Sequence, residues 1–221
     1  MPRRKVGRMK VRRLDGVTER RYLRFLSGGT LYHEPQALAP VTSEALFGDE
    51  RPLEVEVGCG TGDFLNALAE RDSGANFVGV DLHMKSLYRA VETAAGGDLG
   101  NVLYLSADFT LLYPLLQSGS LRAVYLRFPD PGMKPRQERR RIFDRRFLDE
   151  VYRALAPDGQ LLVVTDHPGY HEQMTRHAAA DGRWRIHTGE PESEPGVRSR
   201  FQRLWEDEYG RRSQSLTLYK R

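Results

Sequence analysis

The chain has 221 residues, of which 39% are hydrophobic, so it is long enough for one well-cored domain and too short for two large ones. No apolar run reaches the roughly 18 residues of a membrane span, and the first thirty residues lack a core of signal-peptide type. The single cysteine, Cys59, excludes a disulfide framework and favours a reducing cytoplasm.

The positive charge is concentrated in two segments. Residues 1–24 hold ten Lys and Arg against two acidic residues, and residues 134–146 hold seven against two. The other 184 residues carry 17 positive and 26 negative charges. A solvated tail and one charged helix face would give the same pattern, but two arginine clusters on an otherwise acidic chain favour binding to a polyanion.

The predicted elements alternate between strands and helices. A loop-like stretch with Gly28, Gly29, Pro35 and Pro40 follows the basic arm. Strands are predicted over residues 53–57, 77–80, 102–105, 123–128, 161–164, 183–187 and 215–220. Helices are predicted around residues 63–68, 84–91, 109–116, 143–155 and 170–180, and a polar loop over 190–196.

This alternation predicts an α/β fold with a mostly parallel sheet and helices on both faces. We divide the chain into a basic N-terminal extension, residues 1–40, which need not be ordered and could contact RNA, and a domain over residues 41–221. The oligomeric state, monomer or homodimer, is left open by the sequence.

Each of the first five strands has an acidic residue at or near its carboxyl end. These residues are Glu56, Asp81, Asp108, Asp130 and Asp166. Ligands of parallel α/β sheets bind beyond this edge. A single aspartate there is usually a helix N-cap, whereas five along one edge predict a ligand with cationic or hydrogen-bond-donating groups.

The glycine loop after the first strand narrows the class of ligand. Gly58, Gly60 and Gly62 allow close approach of the backbone at a helix N-terminus, but Asp63 stands where the dinucleotide fingerprint has its third glycine. This spacing favours a ligand with ribose hydroxyls and no pyrophosphate, such as S-adenosylmethionine, over a nicotinamide cofactor. Asp81 could accept the ribose hydroxyls, Asp108 the adenine amino group, and Glu56 could face the methionine end.

The segments EVEVGCGTGDFL, VGVD, LYLSAD, VYLRFPDP and VVTDH resemble the bacterial tRNA (guanine-N7-)-methyltransferases over about residues 50–221. The most specific element is the F-P-D-P motif, which the family continues with Trp-Pro-Lys-Lys-Arg-His. Here Gly132 and Met133 replace the Trp-Pro pair, while Lys134 and Arg136 keep a lysine and the arginine. Gln202 stands where the family has a glutamate near the C-terminus.

The resemblance implies a Rossmann-like class I methyltransferase fold with a seven-stranded sheet. It implies transfer of a methyl group from S-adenosylmethionine to N7 of a guanosine in the tRNA variable loop, position 46 in tRNA numbering. The implied cofactor-binding residues are Glu56, Gly58, Gly60, Asp81, Asp108 and Asp130. The implied substrate-binding residues are Lys134, Asp166, Ser199 and Gln202, and the predicted phosphate contacts are Arg136, Arg139 and Arg140.

Guanine N7 has an in-plane lone pair and no proton to lose, so the transfer needs neither a base nor a covalent enzyme intermediate. We therefore predict that Asp130, fixed between Pro129 and Pro131, is the catalytic residue and faces the purine and the cofactor. The alternative is that Pro-Asp-Pro is only a rigid turn. Methylation of an exocyclic amino group is disfavoured because the segment lacks a second proline and an aromatic residue after Pro131.

Two other classes of protein remain open: a methyltransferase for another RNA, a protein or a small molecule, and a non-catalytic RNA-binding protein on the same fold. Cys59 is interpreted as a small residue in a tight turn rather than a nucleophile. His167 and His171 are separated by Pro168 and Gly169 with no cysteine nearby, so no metal is expected.

Overall fold

The computed structural model describes residues 13–132, 134–189, 200–210 and 212–221. The predicted loop over 190–196 and the predicted substrate contact Ser199 lie outside the described residues. The strands are β1 (Leu23–Phe25), β2 (Leu53–Val57), β3 (Asn76–Asp81), β4 (Val102–Ser106), β5 (Leu121–Arg127), β6 (Leu155–Thr165), β7 (Trp184–Thr188) and β8 (Gln214–Lys220). The α-helices are α1 (Gly16–Tyr22), α2 (Gly28–His33), α3 (Ser43–Phe47), α4 (Asp63–Arg71), α5 (Met84–Gly96), α6 (Pro135–Glu138), α7 (Arg145–Ala154), α8 (Pro168–Asp181) and α9 (Arg200–Arg203).

The described strands form one eight-stranded sheet in the order β1-β4-β3-β2-β5-β6-β8-β7. The first six strands in this order pair in parallel, and β8 pairs antiparallel with both β6 and β7. The strand order reverses between β2 and β5, which is where ligands of open α/β sheets bind.

The central strands are buried on both faces because helices cover both sides of the sheet. All five residues of β2 are buried, as parallel strands require when both faces are covered. On one face, Phe147 of α7 and Tyr170 of α8 join the core that contains Val55. On the other face, Phe64 of α4 and Leu87 of α5 join a second core.

The sequence predicts the central strands and the two C-terminal strands closely, with end shifts of one or two residues. The exception is β6, which begins at Leu155, the last residue of the predicted helix over 143–155 and six residues before the predicted strand over 161–164. This early start pairs Leu155 with Leu121, and a register shift follows before Gln160 pairs with Ala123. Helix α7 therefore ends at Ala154.

Three expectations about the fold are wrong. Over the residues that the structure describes, the sheet has eight strands rather than seven, because Leu23–Phe25 pairs with Tyr104–Ser106 as an edge strand. The leucine-rich stretch before Leu116 forms two 3₁₀-helices, Phe109–Leu111 and Tyr113–Leu115, because Pro114 interrupts a continuous helix. The stretch expected to be loop-like contains α2, whose first turn is capped by the Ser27 hydroxyl.

Part of the segment assigned to the N-terminal extension is packed into the domain. Tyr22 and Leu23 are buried with the core on the α4 and α5 face, and Leu31 is buried with the opposite core. Helix α1 is capped by Asp15, whose Oδ1 accepts hydrogen bonds from the backbone amides of Val17 and Thr18 at 3.0 and 2.9 Å. Residues of α1, β1 and α2 therefore pack into the domain.

Candidate active site

The carboxyl ends of the central strands meet at one edge of the sheet. Val57 pairs with Val80 on one side and with Leu126 on the other, so Gly58, Asp81 and Arg127 follow at the same level. Neighbouring strands lie about 4.8 Å apart, which places the loops after β2, β3 and β5 within reach of one small ligand.

Glu56 and Asp81 project from the same face of this edge. Glu56 pairs with Gly79, and Asp81 lies two residues after Gly79, so the alternation of side chains puts both carboxylates on the side of α4. The Glu56 side chain is buried, with 3% exposure, whereas Asp81 is half-buried at the strand end.

The glycine loop is open above its first two glycines. Gly58 and Gly60 have φ values of 73° and 54°, and a Cβ built on either residue would have no heavy atom within 4 Å. Gly62 also has a positive φ, but a Cβ there would lie 2.6 Å from the Cβ of Ala90 and collide with the Tyr104 hydroxyl. Gly62 therefore allows close helix packing, while Gly58 and Gly60 leave a cradle in which a ligand could lie.

Asp81 fixes the shape of this loop. Its Oδ2 accepts a hydrogen bond from the Gly60 amide at 2.9 Å, and its Oδ1 accepts one from the His83 amide at 2.7 Å. Each carboxylate oxygen has a second lone pair, so the same group can also accept ribose hydroxyls. The cradle and the Asp81 carboxylate fit an adenosine-containing cofactor that has no pyrophosphate.

Asp108 is an N-cap at the same edge. Its Oδ1 accepts hydrogen bonds from the backbone amide and the hydroxyl of Thr110 at 2.9 and 2.8 Å. Capping is the usual role of an aspartate that follows a strand, and at Asp108 the cap is present. The cap holds the half-buried carboxylate at the edge after β4.

The loop after β5 starts with a strained residue. Phe128 has a φ of 50°, which is rare for a bulky side chain and persists only where the surrounding structure holds it. Its amide donates a hydrogen bond to the carbonyl oxygen of Val164 at 2.7 Å. The unusual dihedral turns the chain out of the sheet just before Pro129.

Asp130 is exposed in the turn that follows. Its Oδ1 accepts a hydrogen bond from the Gly132 amide at 2.9 Å. Gly132 has a φ of 56°, and a Cβ there would lie 2.7 Å from the carbonyl carbon of Gln137. Gly132 stands where the family has a tryptophan. It lies in a tight turn packed against α6, and no side chain fits at this position.

The basic cluster that follows divides into two kinds of residue. Six of its seven cations are exposed and suited to a polyanion: Lys134, Arg136, Arg139, Arg140, Arg145 and Arg146. The seventh, Arg141, has a side chain only 10% exposed and donates from Nε to the Pro131 carbonyl oxygen at 2.7 Å. The sequence pattern predicts the same polyanion-binding role for Arg141 as for the other six.

A buried arginine also lies at the end of β5. Arg127 is 5% exposed, its guanidinium lies 4.1 Å from the centre of the Phe64 ring, and it donates to Gln202 Oε1 at 2.6 Å. Sequence reasoning missed it, although a charged residue in the apolar run VYLRF is an unusual signal.

Gln202 connects this edge to the C-terminal segment. Its Nε2 donates to Glu206 Oε1 at 3.0 Å, and the Ser213 hydroxyl donates to the same oxygen at 2.6 Å. Because Oε1 faces Arg127, the amide group has one fixed orientation. Asp166, the fifth acidic residue of the edge, directly follows β6 and is half-buried.

Cys59 lies inside the glycine loop, and its environment opposes nucleophilic chemistry. Burial raises the pKa of its thiol well above the usual value, and the negative charges of Glu56 and Asp81 raise that pKa further. The group is therefore a neutral thiol at neutral pH, which disfavours a covalent mechanism.

Within the described ranges, no group of three His, Cys, Asp or Glu side chains is arranged to hold a metal ion. Nor does that part of the chain contain a helix long and apolar enough to span a membrane.

Comparison with solved structures supports the fold. A 16S rRNA methyltransferase, KamB, matches 81% of this chain and 94% of its own at a TM-score of 0.55 and 20% identity. A 30S ribosomal A1408 methyltransferase from an uncultured bacterium matches with a TM-score of 0.58 and 14% identity, over 80% of this chain and 91% of its own. At these identities the likeness shows the fold alone, a Rossmann-like class I methyltransferase.

Sequence comparison shows the family. The model of a family described as "Putative methyltransferase" matches residues 50–220. The tRNA (guanine-N(7)-)-methyltransferase of Rubrobacter xylanophilus is 52% identical over 93% of this chain and 94% of its own length. The enzyme of the same name from Chloroherpeton thalassium is 33% identical over 97% and 96%. The chain therefore belongs to the family of bacterial tRNA (guanine-N(7)-)-methyltransferases.

Proposed function

We propose that this protein methylates N7 of a guanosine in the variable loop of tRNA, position 46 in tRNA numbering, with S-adenosylmethionine as the donor. The observation that carries the proposal is the convergence, at one sheet edge, of the open glycine cradle, the Asp81 carboxylate and the Asp130 turn. A cluster of exposed cations follows that turn directly. We place the activity in the cytoplasm, where tRNA is its partner.

Different residues at this edge of the sheet are proposed to bind different parts of the cofactor. Gly58 and Gly60 let the cofactor lie against the backbone, and Asp81 accepts its ribose hydroxyls. Asp108 is assigned to the adenine amino group and Glu56 to the methionine end of the cofactor. The cofactor supplies an electrophilic methyl group on a sulfonium ion.

The protein's main contribution is alignment, because N7 is nucleophilic without loss of a proton. The substrate residues Lys134, Asp166, Ser199 and Gln202 are proposed to hold the guanosine with N7 facing the methyl group. Arg127 donates to Gln202 Oε1 at 2.6 Å and so orients the amide, whose carbonyl is assigned to the guanine ring N–H. Asp130 is proposed to face both groups and to stabilise the positive charge that develops on the purine.

The exposed arginines of the cluster are proposed to hold the RNA. Arg136, Arg139 and Arg140 carry their charges into solvent beside the Asp130 turn, where they can contact phosphates. The N-terminal extension, residues 1–40, is proposed to contact the same RNA with its own arginines. Such contacts release counterions, so binding should weaken with salt at a log–log slope near −0.7 to −0.9 per phosphate.

The direct test incubates the protein with labelled S-adenosylmethionine and unmodified tRNA and maps the modified base. Label at N7 of the variable-loop guanosine is expected. Label on another base or another molecule would overturn the substrate assignment. Cofactor binding without any transfer, combined with tRNA binding, would instead indicate an RNA-binding protein.

The role of Asp130 is tested with Asp130→Asn, because the asparagine carbonyl still accepts the Gly132 amide while the charge is lost. We expect turnover to fall by about 100-fold or more with unchanged thermal stability. The matched control is Asp98→Asn, which changes another exposed aspartate in a loop, one that precedes β4 at the opposite edge of the sheet. Near-normal turnover in Asp130→Asn would refute the catalytic assignment.

A further inference from the structure

We propose that Arg141 is a positioning residue that holds the Asp130 turn in its reactive conformation and does not bind RNA. This inference rests on the proposed function of Asp130. It gives Arg141 a different role from the exposed cations of the same cluster.

The first argument is the set of partners of Arg141. Its Nε donates a hydrogen bond at 2.7 Å to the carbonyl oxygen of Pro131, which is the residue next to Asp130. Its Nη1 donates to Gln173 Oε1, and its guanidinium lies 4.7 Å from the centre of the Tyr170 ring. Tyr170 and Gln173 belong to α8, so Arg141 joins the Asp130 turn to a helix packed on the sheet.

The Arg141 side chain is nearly buried, and a carboxylate lies close to its guanidinium. The side chain is 10% exposed, and Nη2 lies 3.4 Å from Glu138 Oε1. An arginine in this state has its planar fork occupied by protein acceptors and an aromatic face, so little of it is available to a phosphate. By contrast, Arg139 and Arg140 are exposed.

The third argument is that the turn needs an external support. Phe128 has a φ of 50°, so the turn begins in a dihedral that a bulky residue visits rarely, whereas the φ of 56° at Gly132 is one that glycine adopts readily. Within the turn, Asp130 accepts a hydrogen bond from the Gly132 amide, which is a local bond between residues two apart in a partly buried loop. The bond from Arg141 to Pro131 connects the turn to the body of the protein.

The test compares Arg141→Gln with Arg140→Gln, an exposed neighbour assigned to phosphate contact, and with Arg176→Gln as a control. Arg176 forms an exposed ion pair with Glu172 on α8. Its substitution therefore also removes one positive charge, but at a site outside the turn. Steady-state methylation of tRNA gives kcat and KM for each variant. Hydrogen exchange at the Gly132 amide reports the turn without any need for activity.

We expect Arg141→Gln to lower kcat by about 10- to 100-fold, because displacement of a reacting group by about 1 Å has an effect of that size. Its KM for tRNA should stay within about threefold, and Gly132 should exchange at least about tenfold faster. Arg140→Gln should raise KM with kcat nearly unchanged, and Arg176→Gln should match the wild type. Arg141→Lys should recover part of kcat, since the ammonium group can still donate to Pro131.

A raised KM with unchanged kcat and unchanged Gly132 exchange in Arg141→Gln would overturn the proposal, because those results describe a phosphate contact. If Arg141→Gln does not fold, Gln173→Ala removes one partner of the arginine and should shift kcat and exchange in the same direction by less. Absence of methylation by the wild type would refute the proposed function alone. The exchange rate at Gly132 would still decide whether Arg141 holds the turn.

Discussion

Two glycines of the same loop allow the cofactor cradle to be tested separately from the packing of the fold. Gly60 and Gly62 have φ values of 54° and 68°, so an alanine at either position meets a similar backbone penalty of about 1–2 kcal/mol. The surroundings of the added methyl group differ. At Gly60 it enters open space, whereas at Gly62 it lies 2.6 Å from Ala90 Cβ and collides with Tyr104.

The expected effects on stability follow from these contacts. Gly60→Ala should lower the free energy of unfolding by about 1–2 kcal/mol, which corresponds to a Tm decrease of about 2–8 °C in a chain of this size. Gly62→Ala adds overpacking of about 1–3 kcal/mol, for a total of about 2–5 kcal/mol. Thermal and chemical denaturation of the two variants would measure the difference.

For cofactor binding, we expect the larger effect from Gly60→Ala and the smaller effect from Gly62→Ala. The methyl group of Gly60→Ala occupies the cradle, so calorimetry should show affinity for S-adenosylmethionine at least about tenfold weaker, or about 1.4 kcal/mol. In Gly62→Ala the methyl group points toward α5 and β4, and the affinity of the folded variant should stay within about threefold. If Gly60→Ala binds the cofactor as tightly as the wild type, the open space above Gly60 is not the cofactor site.

Two further predictions concern the scaffold. A hydrogen bond from Arg51 lowers the pKa of Asp49 from 3.8 to about 2, so the ionised carboxylate stabilises the folded state above about pH 4, and this contribution is lost as the pH falls toward 2. The Tm difference between wild type and Asp49→Asn should therefore be largest at pH 5–7 and shrink below pH 4, and a difference independent of pH would contradict this reasoning. Tyr104→Phe leaves the buried Asn66 Oδ1 without the hydroxyl that donates to it at 2.7 Å, so denaturant unfolding should show a loss of about 1–3 kcal/mol. A loss below about 0.5 kcal/mol would show that Asn66 finds another donor.

The central strands could be predicted from local sequence because their burial is nearly complete. The apolar runs of β2 to β6 have few other ways to be buried, and their order along the chain favours a parallel sheet. The F-P-D-P motif and the glycine loop predicted the edge at which we propose that the ligand binds. The positions of the acidic residues at this edge were predictable from the same pattern, because the end of each strand can be recognised in the sequence.

The edge strand β1 and the helices around it were not predictable from local pattern. Leu23–Phe25 is only three residues long, and it is a strand because Leu23 pairs with Tyr104 of β4, about 80 residues away. A segment this short has no periodicity of its own, so a distant partner determines its conformation. The 3₁₀-helices before Leu116 have a local cause instead, because Pro114 interrupts a continuous helix in the leucine-rich stretch.

The sequence by itself determined the family, the sheet and the edge at which the acidic residues meet, because these depend on the order of apolar runs and on short motifs. Only the tertiary structure decided which of two adjacent arginines faces solvent and which supports the Asp130 turn. Arg140 and Arg141 are neighbours of identical chemistry in the sequence, yet only Arg141 contacts Pro131 and Tyr170. That difference depends on contacts with α8 that are distant along the chain and are made only when the helix packs on the sheet.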